Sequence, residues 1–167
     1  MSVTEHKSHA PASVACFVLT VSDTRTLETE TSGRAIAELL TAAGHTVVGR
    51  HLVKDDPGAV QQILRDEIAH GRAKAIITTG GTGISRRDST FEAITGMLDK
   101  RLDGFGELFR MLSYAEIGSA AMLSRATAGI ISGCAVFMLP GSEAAVRLGV
   151  SKLILPELGH IVRELTK

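Results

Sequence analysis

Apolar residues fall into two patterns along this chain. Short solid runs, bounded by polar residues, alternate with longer stretches in which apolar positions recur every three or four residues. The solid runs are residues 14–21 (VACFVLTV), Thr46–Val53 (TVVGRHLV) and residues 73–79 (AKAIITT). The first is rich in β-branched residues and reads as a strand buried on both faces; the other two read as further strands. Between the first two, Ile36, Leu39, Leu40 and Ala43 follow helical spacing, and Gly44 is a stop signal. The segment DDPGAVQQILRDEIAHG predicts a helix with Asp56 as N-cap, Pro57 at its first position, an apolar face at Val60, Ile63, Leu64 and Ile68, and Gly71 at its close.

Further along, Ser89 and Glu92 have the spacing of a capping box, which predicts a helix from there to about Leu98. The segment GFGELFRMLSYA puts Leu108, Phe109 and Leu112 on one helical face. AGIISGCAVFML predicts two short strands joined at Ser132-Gly133. From Ser142 onward the spacing is helical, bent or restarted at Pro156. The first 13 residues, MSVTEHKSHAPAS, are polar and read as a disordered tail, leaving residues 14–167 as one domain. Strands alternating with helices predict an α/β fold with a mostly parallel sheet, to which the hairpin adds an antiparallel edge.

Composition narrows the function classes. With 44% apolar and 22% charged residues, the chain has the make-up of a globular domain able to bury a core without staples. Its 18 basic and 18 acidic residues balance, which argues against a nucleic-acid partner. Cys16 and Cys134 each sit in an apolar run with no CxxC spacing, so they read as buried free thiols. His6, His9, His45, His51, His70 and His160 show no HxxxH spacing, and each alone reads as a surface or core residue rather than a metal ligand. The polar start lacks the apolar centre of a signal peptide, and no apolar run approaches the ~20 residues of a spanning helix. A cytoplasmic protein with no membrane partner is expected.

The candidate chemistry lies past the strand ends, where ligands bind in open α/β sheets. Three ends carry unusual residues: Val21-Ser22-Asp23, the stretch Thr78-Thr79-Gly80-Gly81-Thr82-Gly83, and Leu139-Pro140-Gly141-Ser142. The glycine loop is not a Walker A loop, because no Lys follows. It is not a GxGxxG fingerprint either, because Arg86 stands in the last place. Its glycines could serve only a tight turn with positive φ. With Arg86 and Arg87 to grip phosphate, and Thr79 and Thr82 to donate hydroxyl bonds, an anion site is the favoured reading. Asp88 is surplus to the cap at Ser89, and an acid beside a phosphate cradle calls for a cation such as Mg²⁺. Asp55 raises the same question, although it also simply precedes the Asp56 cap. Glu107 reads as a solvated helix residue, and the apolar face of LFRMLSYAEIG reads equally as core or as an oligomer contact.

Taken in order, TTGGTG, RRDSTFEA, GFGELFRMLS, MLSRATAGI and MLPGSEAA resemble the MoaB/MogA family of molybdenum cofactor biosynthesis proteins, and the G domain of gephyrin-type proteins. The resemblance runs from Val14 to the C-terminus. It implies a three-layer α/β/α fold assembling as a homotrimer or hexamer. It also implies a molybdopterin adenylyltransferase that uses Mg²⁺ and ATP to place AMP on the terminal phosphate of molybdopterin. Pyrophosphate leaves, and the product goes on to a metal-insertion protein. By matching motifs it implies that Asp55 and Asp88 are the acidic residues needed for transfer, with Asp88 holding Mg²⁺. It further implies that Ser22, Asp23, Thr79, Gly80, Gly81, Thr82, Gly83, Arg87, Pro140, Gly141 and Ser142 bind substrate, with Ser124 and Arg125 reaching the pterin phosphate. Phe91 stands where many members have proline, and Ser142-Glu143 where others have Asn-Pro or Gln-Pro. SYAEIGSAAMLSR and PGS place the chain nearer the MoaB side, where a non-catalytic molybdopterin-binding carrier or scaffold is the alternative. A generic nucleotide-binding module is a third reading.

Overall fold

The structure, a computed structural model, describes residues 2–167. Its strands are β1 (Ala15–Val21), β2 (Thr46–Val53), β3 (Ala75–Thr79), β4 (Lys100–Arg101), β5 (Thr127–Ile131) and β6 (Cys134–Leu139). Its α-helices are α1 (Val3–Ser8), α2 (Ser32–Ala42), α3 (Pro57–His70), α4 (Thr90–Thr95), α5 (Asp103–Ile117), α6 (Glu143–Gly149) and α7 (Leu155–Leu165). The strands form one six-stranded sheet in the order β2-β1-β3-β6-β5-β4. β1, β2, β3 and β6 are parallel, while β5 runs antiparallel to both of its neighbours.

The solid apolar runs are explained by helices on both faces of the sheet. Successive residues of a strand point to opposite faces. Val18, Ile77 and Phe137 therefore meet Ile36 and Leu40 of α2 and Leu158 of α7. Their neighbours Leu19, Ile76 and Met138 meet Val60 and Leu64 of α3 and Ile94 of α4 on the other side. This is the three-layer arrangement. The two cysteines belong to these cores as free thiols; burial pushes Cys16 up to about 12 and Cys134 up to about 11, which leaves them unreactive. The hairpin between β5 and β6 turns on Ser132 (φ 47°) and Gly133 (φ 77°), the pair of positive φ values that a two-residue type I′ turn requires. Asp56 caps α3 by accepting from the Ala59 N–H at 2.8 Å, and Gly71 ends it in the left-handed region.

Several expectations change. The tail expected to be disordered instead contains α1, which buries nothing of its own. Ser2 and Glu5 cap it reciprocally, and it docks on α7 through polar contacts: His6 with Glu164 at 2.7 Å, and Lys7 with Glu157. The capping box at Ser89 and Glu92 does not form, because each side chain has a stronger partner elsewhere: Ser89 donates to Asp55, and Glu92 pairs with Arg125. α4 stops at Thr95 rather than near Leu98, with Gly96 as its C-cap. On α5 only Phe109 of the predicted face is fully buried, and Leu108 is exposed. Finally, the hairpin is not itself the sheet edge, since β4 pairs outside β5. Before Pro156 the last helical segment passes through one π turn, Val150–Ile154, instead of breaking. Among the described residues, no helix is long and apolar enough to cross a membrane.

Leu64 is fully buried between α3 and the sheet. Leu64→Ala should lower the unfolding free energy by about 2–5 kcal/mol in urea denaturation. A loss well under ~1 kcal/mol would mean that α3 is loosely seated.

Candidate functional site

Register brings the three unusual strand ends together. Thr20 pairs with Thr79, and Thr79 pairs with Leu139, so β1, β3 and β6 end at one level. The loops beyond them enclose a cavity of about 640 Å³. Ser22 comes from the first loop, Thr79, Gly80, Gly81, Thr82, Gly83 and Asp88 from the second, and Pro140, Gly141 and Ser142 from the third. Ser124, just before β5, also lines it. β1 is followed by α2 on one face, whereas β3 is followed by α4 on the other, so the crevice opens where the chain's winding switches sides.

Two of the glycines have a structural reason to be glycine. At Gly80 (φ 94°) a Cβ would sit 2.1 Å from the Val21 carbonyl oxygen, and at Gly81 (φ 70°) one would sit 2.1 Å from Thr90 Oγ1. Neither position admits a side chain. Hydroxyl groups then tie the third loop to the others. Thr79 Oγ1 donates to the Pro140 carbonyl at 2.8 Å, and Ser32 Oγ donates to the Gly141 carbonyl at 2.7 Å. Ser142 caps α6 by accepting from the Ala145 N–H at 3.2 Å.

Five residues expected at the site do not line the cavity: Arg86 is exposed, and Asp23, Asp55, Arg87 and Arg125 are held by neighbouring protein groups. Arg87 Nε and Nη2 both donate to Asp23 Oδ2, at 3.0 and 2.8 Å. Asp23 Oδ1 accepts from the Asp55 N–H at 3.1 Å, and this bond, helped by the Arg87 guanidinium, holds the Asp23 carboxyl below the usual range. The Asp55 carboxylate accepts from Ser89 Oγ at 2.8 Å and Thr90 Oγ1 at 3.1 Å, directly behind the glycine loop. Arg125 donates from Nε to the Thr82 carbonyl at 2.9 Å and also reaches the Gly83 carbonyl. It lies 4.5 Å above the Phe91 ring centroid and pairs with Glu92. Phe91 thus gives Arg125 an aromatic face that proline could not offer.

The cavity also contains residues that the sequence pattern did not single out, chiefly Arg25, Glu30, Ser32 and Glu143. Glu30 is only 2% exposed. It accepts from the Gly33 N–H at 2.7 Å, Thr20 Oγ1 at 3.1 Å and Arg50 Nε at 3.0 Å. No local pattern in TRTLETETSG separates this glutamate from its exposed neighbour Glu28; only its distant partner Arg50 does. Glu143 is paired with Arg147 at 2.9 Å. Asp88 differs from both. Its Oδ2 accepts from the neutral N–H and hydroxyl of Ser85, at 3.0 and 2.6 Å, and among the described residues it has no ion pair.

A family model described as "Probable molybdopterin binding domain" matches residues 17–160. The chain belongs to that family. Among its molybdopterin-binding-domain relatives, molybdenum cofactor biosynthesis protein B of Bacillus cereus is 55% identical over 166 residues, spanning 99% of this chain and 98% of the relative. A crystal structure of a molybdenum cofactor biosynthesis protein B superposes with TM-score 0.91 at 53% identity, covering 95% of this chain and 99% of that one. The tungsten cofactor synthesizing protein MoaB from Pyrococcus furiosus superposes with TM-score 0.84 at 42% identity, covering 95% of this chain and all (100%) of that one. The MoaB/MogA resemblance and the three-layer α/β fold both stand on these similarities.

Because the carboxyl of Asp23 is lowered by its partners, the stability it contributes is fully present above about pH 4, its unfolded value, and is lost as the pH falls through its folded value. Arg87→Ala should move the Asp23 titration upward, toward the ordinary carboxylate range, as followed by carboxyl-carbon NMR. An unmoved titration would mean that the Arg87 contact is not maintained in solution.

Proposed function

We propose that this chain acts in molybdenum cofactor biosynthesis as an adenylyltransferase, using Mg²⁺ and ATP to adenylylate molybdopterin. The observation that carries this reading is the Asp88 carboxylate. It lies on a cavity of about 640 Å³ beside bare glycine backbone, and it has no cationic partner. The lining holds three carboxylates, Glu30, Asp88 and Glu143, against one guanidinium, Arg25. Glu30 and Glu143 are already neutralised by Arg50 and Arg147. A polyphosphate entering there meets one uncompensated acid, Asp88, and one guanidinium, Arg25, and a cation between the acid and the phosphates makes the arrangement favourable. Asp88 fits that requirement, since its Oδ1 has no hydrogen-bond partner among the described residues and offers the single hard oxygen from which Mg²⁺ is commonly held. Bound there, Mg²⁺ would neutralise phosphate charge.

The reaction makes few demands on acid–base chemistry. An anionic terminal phosphate of molybdopterin forms a bond to the α-phosphorus of ATP, and pyrophosphate departs with the electron pair of the broken bond. Positioning and charge neutralisation then dominate. The N–H groups of Gly81, Thr82 and Gly83, the hydroxyls of Ser22, Thr82 and Ser124 and the guanidinium of Arg25 are donors this chain offers at the cavity; the Gly80 N–H is taken by the Leu139 carbonyl at 3.1 Å. Asp55, Arg87 and Arg125 act in this reading as positioning residues: Asp55 holds Ser89 and Thr90, and Arg125 holds the loop carbonyls. Asp23 serves as the anchor for Arg87. ATP as co-substrate suits the cytoplasm, and the adenylylated product would pass to a metal-inserting protein.

A second reading, a non-catalytic molybdopterin carrier or scaffold, is favoured by the same internal pairing of Arg87 and Arg125, which leaves fewer free cations for a triphosphate. Incubating the protein with molybdopterin, Mg²⁺ and ATP separates the two. The transferase reading expects adenylylated product and pyrophosphate, with Asp88→Asn reducing turnover by about 10² or more through lost charge stabilisation. Tight pterin binding with no product would establish the carrier instead.

We also propose that the assembly is a homo-oligomer, a trimer or a pair of trimers. Leu108, Met111, Tyr114, Ile117, Met122 and Leu123 are all at least 48% exposed along α5 and the turn after it. Ile117 and Leu123 line the cavity as well, so a second copy on this strip would complete its wall. Replacing both Met111 and Tyr114 with Glu should give monomers in light scattering. An unchanged mass would remove this strip as the interface.

A further inference from the structure

We propose that His6, His160 and Glu164 form a binding site for a divalent transition-metal ion of the zinc class, joining α1 to α7 at the chain termini. His6 is 158 residues from Glu164 in sequence, and only the docking of α1 brings them together. One ligand atom from each of the three residues lies within 4.8 Å of the other two. His6 Nδ1 is 2.7 Å from Glu164 Oε1, and His160 Nε2 is 3.8 Å from the same oxygen. Ligands on a tetrahedral zinc at about 2.1 Å stand about 3.4 Å apart. The first distance must therefore open and the second close, each by less than an ångström, within the reach of side-chain torsions.

The surroundings are those of a prepared imidazole. His160 Nδ1 is 2.9 Å from Glu157 Oε2, and Glu157 is in turn paired with Lys7. A proton on Nδ1 directed at Glu157 leaves the Nε2 lone pair facing Glu164, the carboxylate–histidine pattern that orients metal-bound imidazoles. His6 carries a conflict that a cation resolves. Its Nδ1 lies 2.7 Å from Glu164 Oε1, where it would have to donate, and 3.4 Å from the Lys167 ammonium, where it would have to accept. The Lys167 ammonium also reaches Glu164 Oε1 at 2.6 Å, so one positive charge already stands against both of these ligand atoms. The Lys167 side chain is half-exposed, 48% accessible, and can swing away into solvent. Two imidazoles and one carboxylate select a borderline divalent ion over Mg²⁺ or Ca²⁺. The ligands are part-exposed, with Glu164 41% accessible, which leaves the fourth position to water and the ion free to exchange.

The test uses the full chain without a histidine tag, stripped with a chelator and titrated with Zn²⁺ against a chromophoric competitor. One Zn²⁺ per chain is expected. His6→Ala and His160→Ala should each weaken binding about tenfold or more, while His51→Ala and His70→Ala, which alter exposed histidines elsewhere, should not. Lys167→Ala should tighten binding, because its ammonium competes for the same atoms. Amide exchange in Val3–Ser8 should slow when Zn²⁺ is added, a readout independent of any catalytic assay. Binding that survives His6→Ala unchanged, or that leaves exchange in α1 unaltered, would overturn the site. Absence of stoichiometric binding would likewise overturn the site.

Discussion

Parallel pairing in register is the constraint on which the molecule's chemistry depends. Once Thr20, Thr79 and Leu139 stand side by side, the chain must leave three adjacent strands at the same height. Its loops then have nowhere to go but into one another. Gly80 is forced to lie against the Val21 carbonyl, so the glycine is needed for the strands to end level, before any ligand is considered. The hydroxyls of Thr79 and Ser32 convert that crowding into fixed contacts with the Pro140–Gly141 turn. A crevice held in this way is set by the sheet rather than by the loops, which is the condition for binding without a large ordering cost.

Charge around the crevice is distributed by the same geometry. Most of its ionic groups answer one another. Glu30 is balanced by Arg50 and by neutral donors from β1 and α2. Asp23 is balanced by Arg87, and Glu92 by Arg125. A buried carboxylate such as Glu30 is tolerable only because its lone pairs are satisfied from three directions. Gly33 is glycine for that reason, since a Cβ there would lie 2.2 Å from Thr20 Oγ1. After these pairings, Asp88 remains as an acid facing the cavity without a counter-charge. The functional reading rests on this residue because the other carboxylates of the crevice are already engaged.

Much of this was legible in the sequence, and the failures share a cause. Solid apolar runs and the Asp56-Pro57 start located β1, β2, β3 and α3 within a residue or two, because burial on two faces and a helix cap are local facts. The glycine loop at the end of β3 is local in the same way, whereas Asp88 stood out as surplus to a Ser89 cap that does not form. What depended on long-range partners was not. Ser89 and Glu92 carry the spacing of a capping box, yet Asp55 and Arg125, brought in from other elements, take both side chains. Arg87 and Arg125 read as free phosphate ligands until Asp23 and the loop carbonyls are placed beside them. β4 is too short to show a period. The tail did carry a signal, Ser2 three residues before Glu5, but without an apolar face it had no visible reason to fold. Its reason is α7, at the other end of the chain.

The two cation sites follow opposite chemistry, and that difference keeps them separate. Asp88 offers a hard carboxylate oxygen among hydroxyls and backbone N–H groups, with no imidazole or thiolate in the cavity lining. Such a set holds Mg²⁺ through one oxygen together with substrate phosphates and gives zinc little advantage. His6 and His160 offer imidazole nitrogens that Mg²⁺ does not favour but zinc does. The thiols that would compete most strongly for zinc, Cys16 and Cys134, are buried and protonated. The two proposed ions, zinc at the termini and magnesium at the crevice, would therefore be varied independently. A metal that stiffens α1 without altering turnover, and one that supports turnover without stiffening α1, would each be acting through the donor set its chemistry prefers.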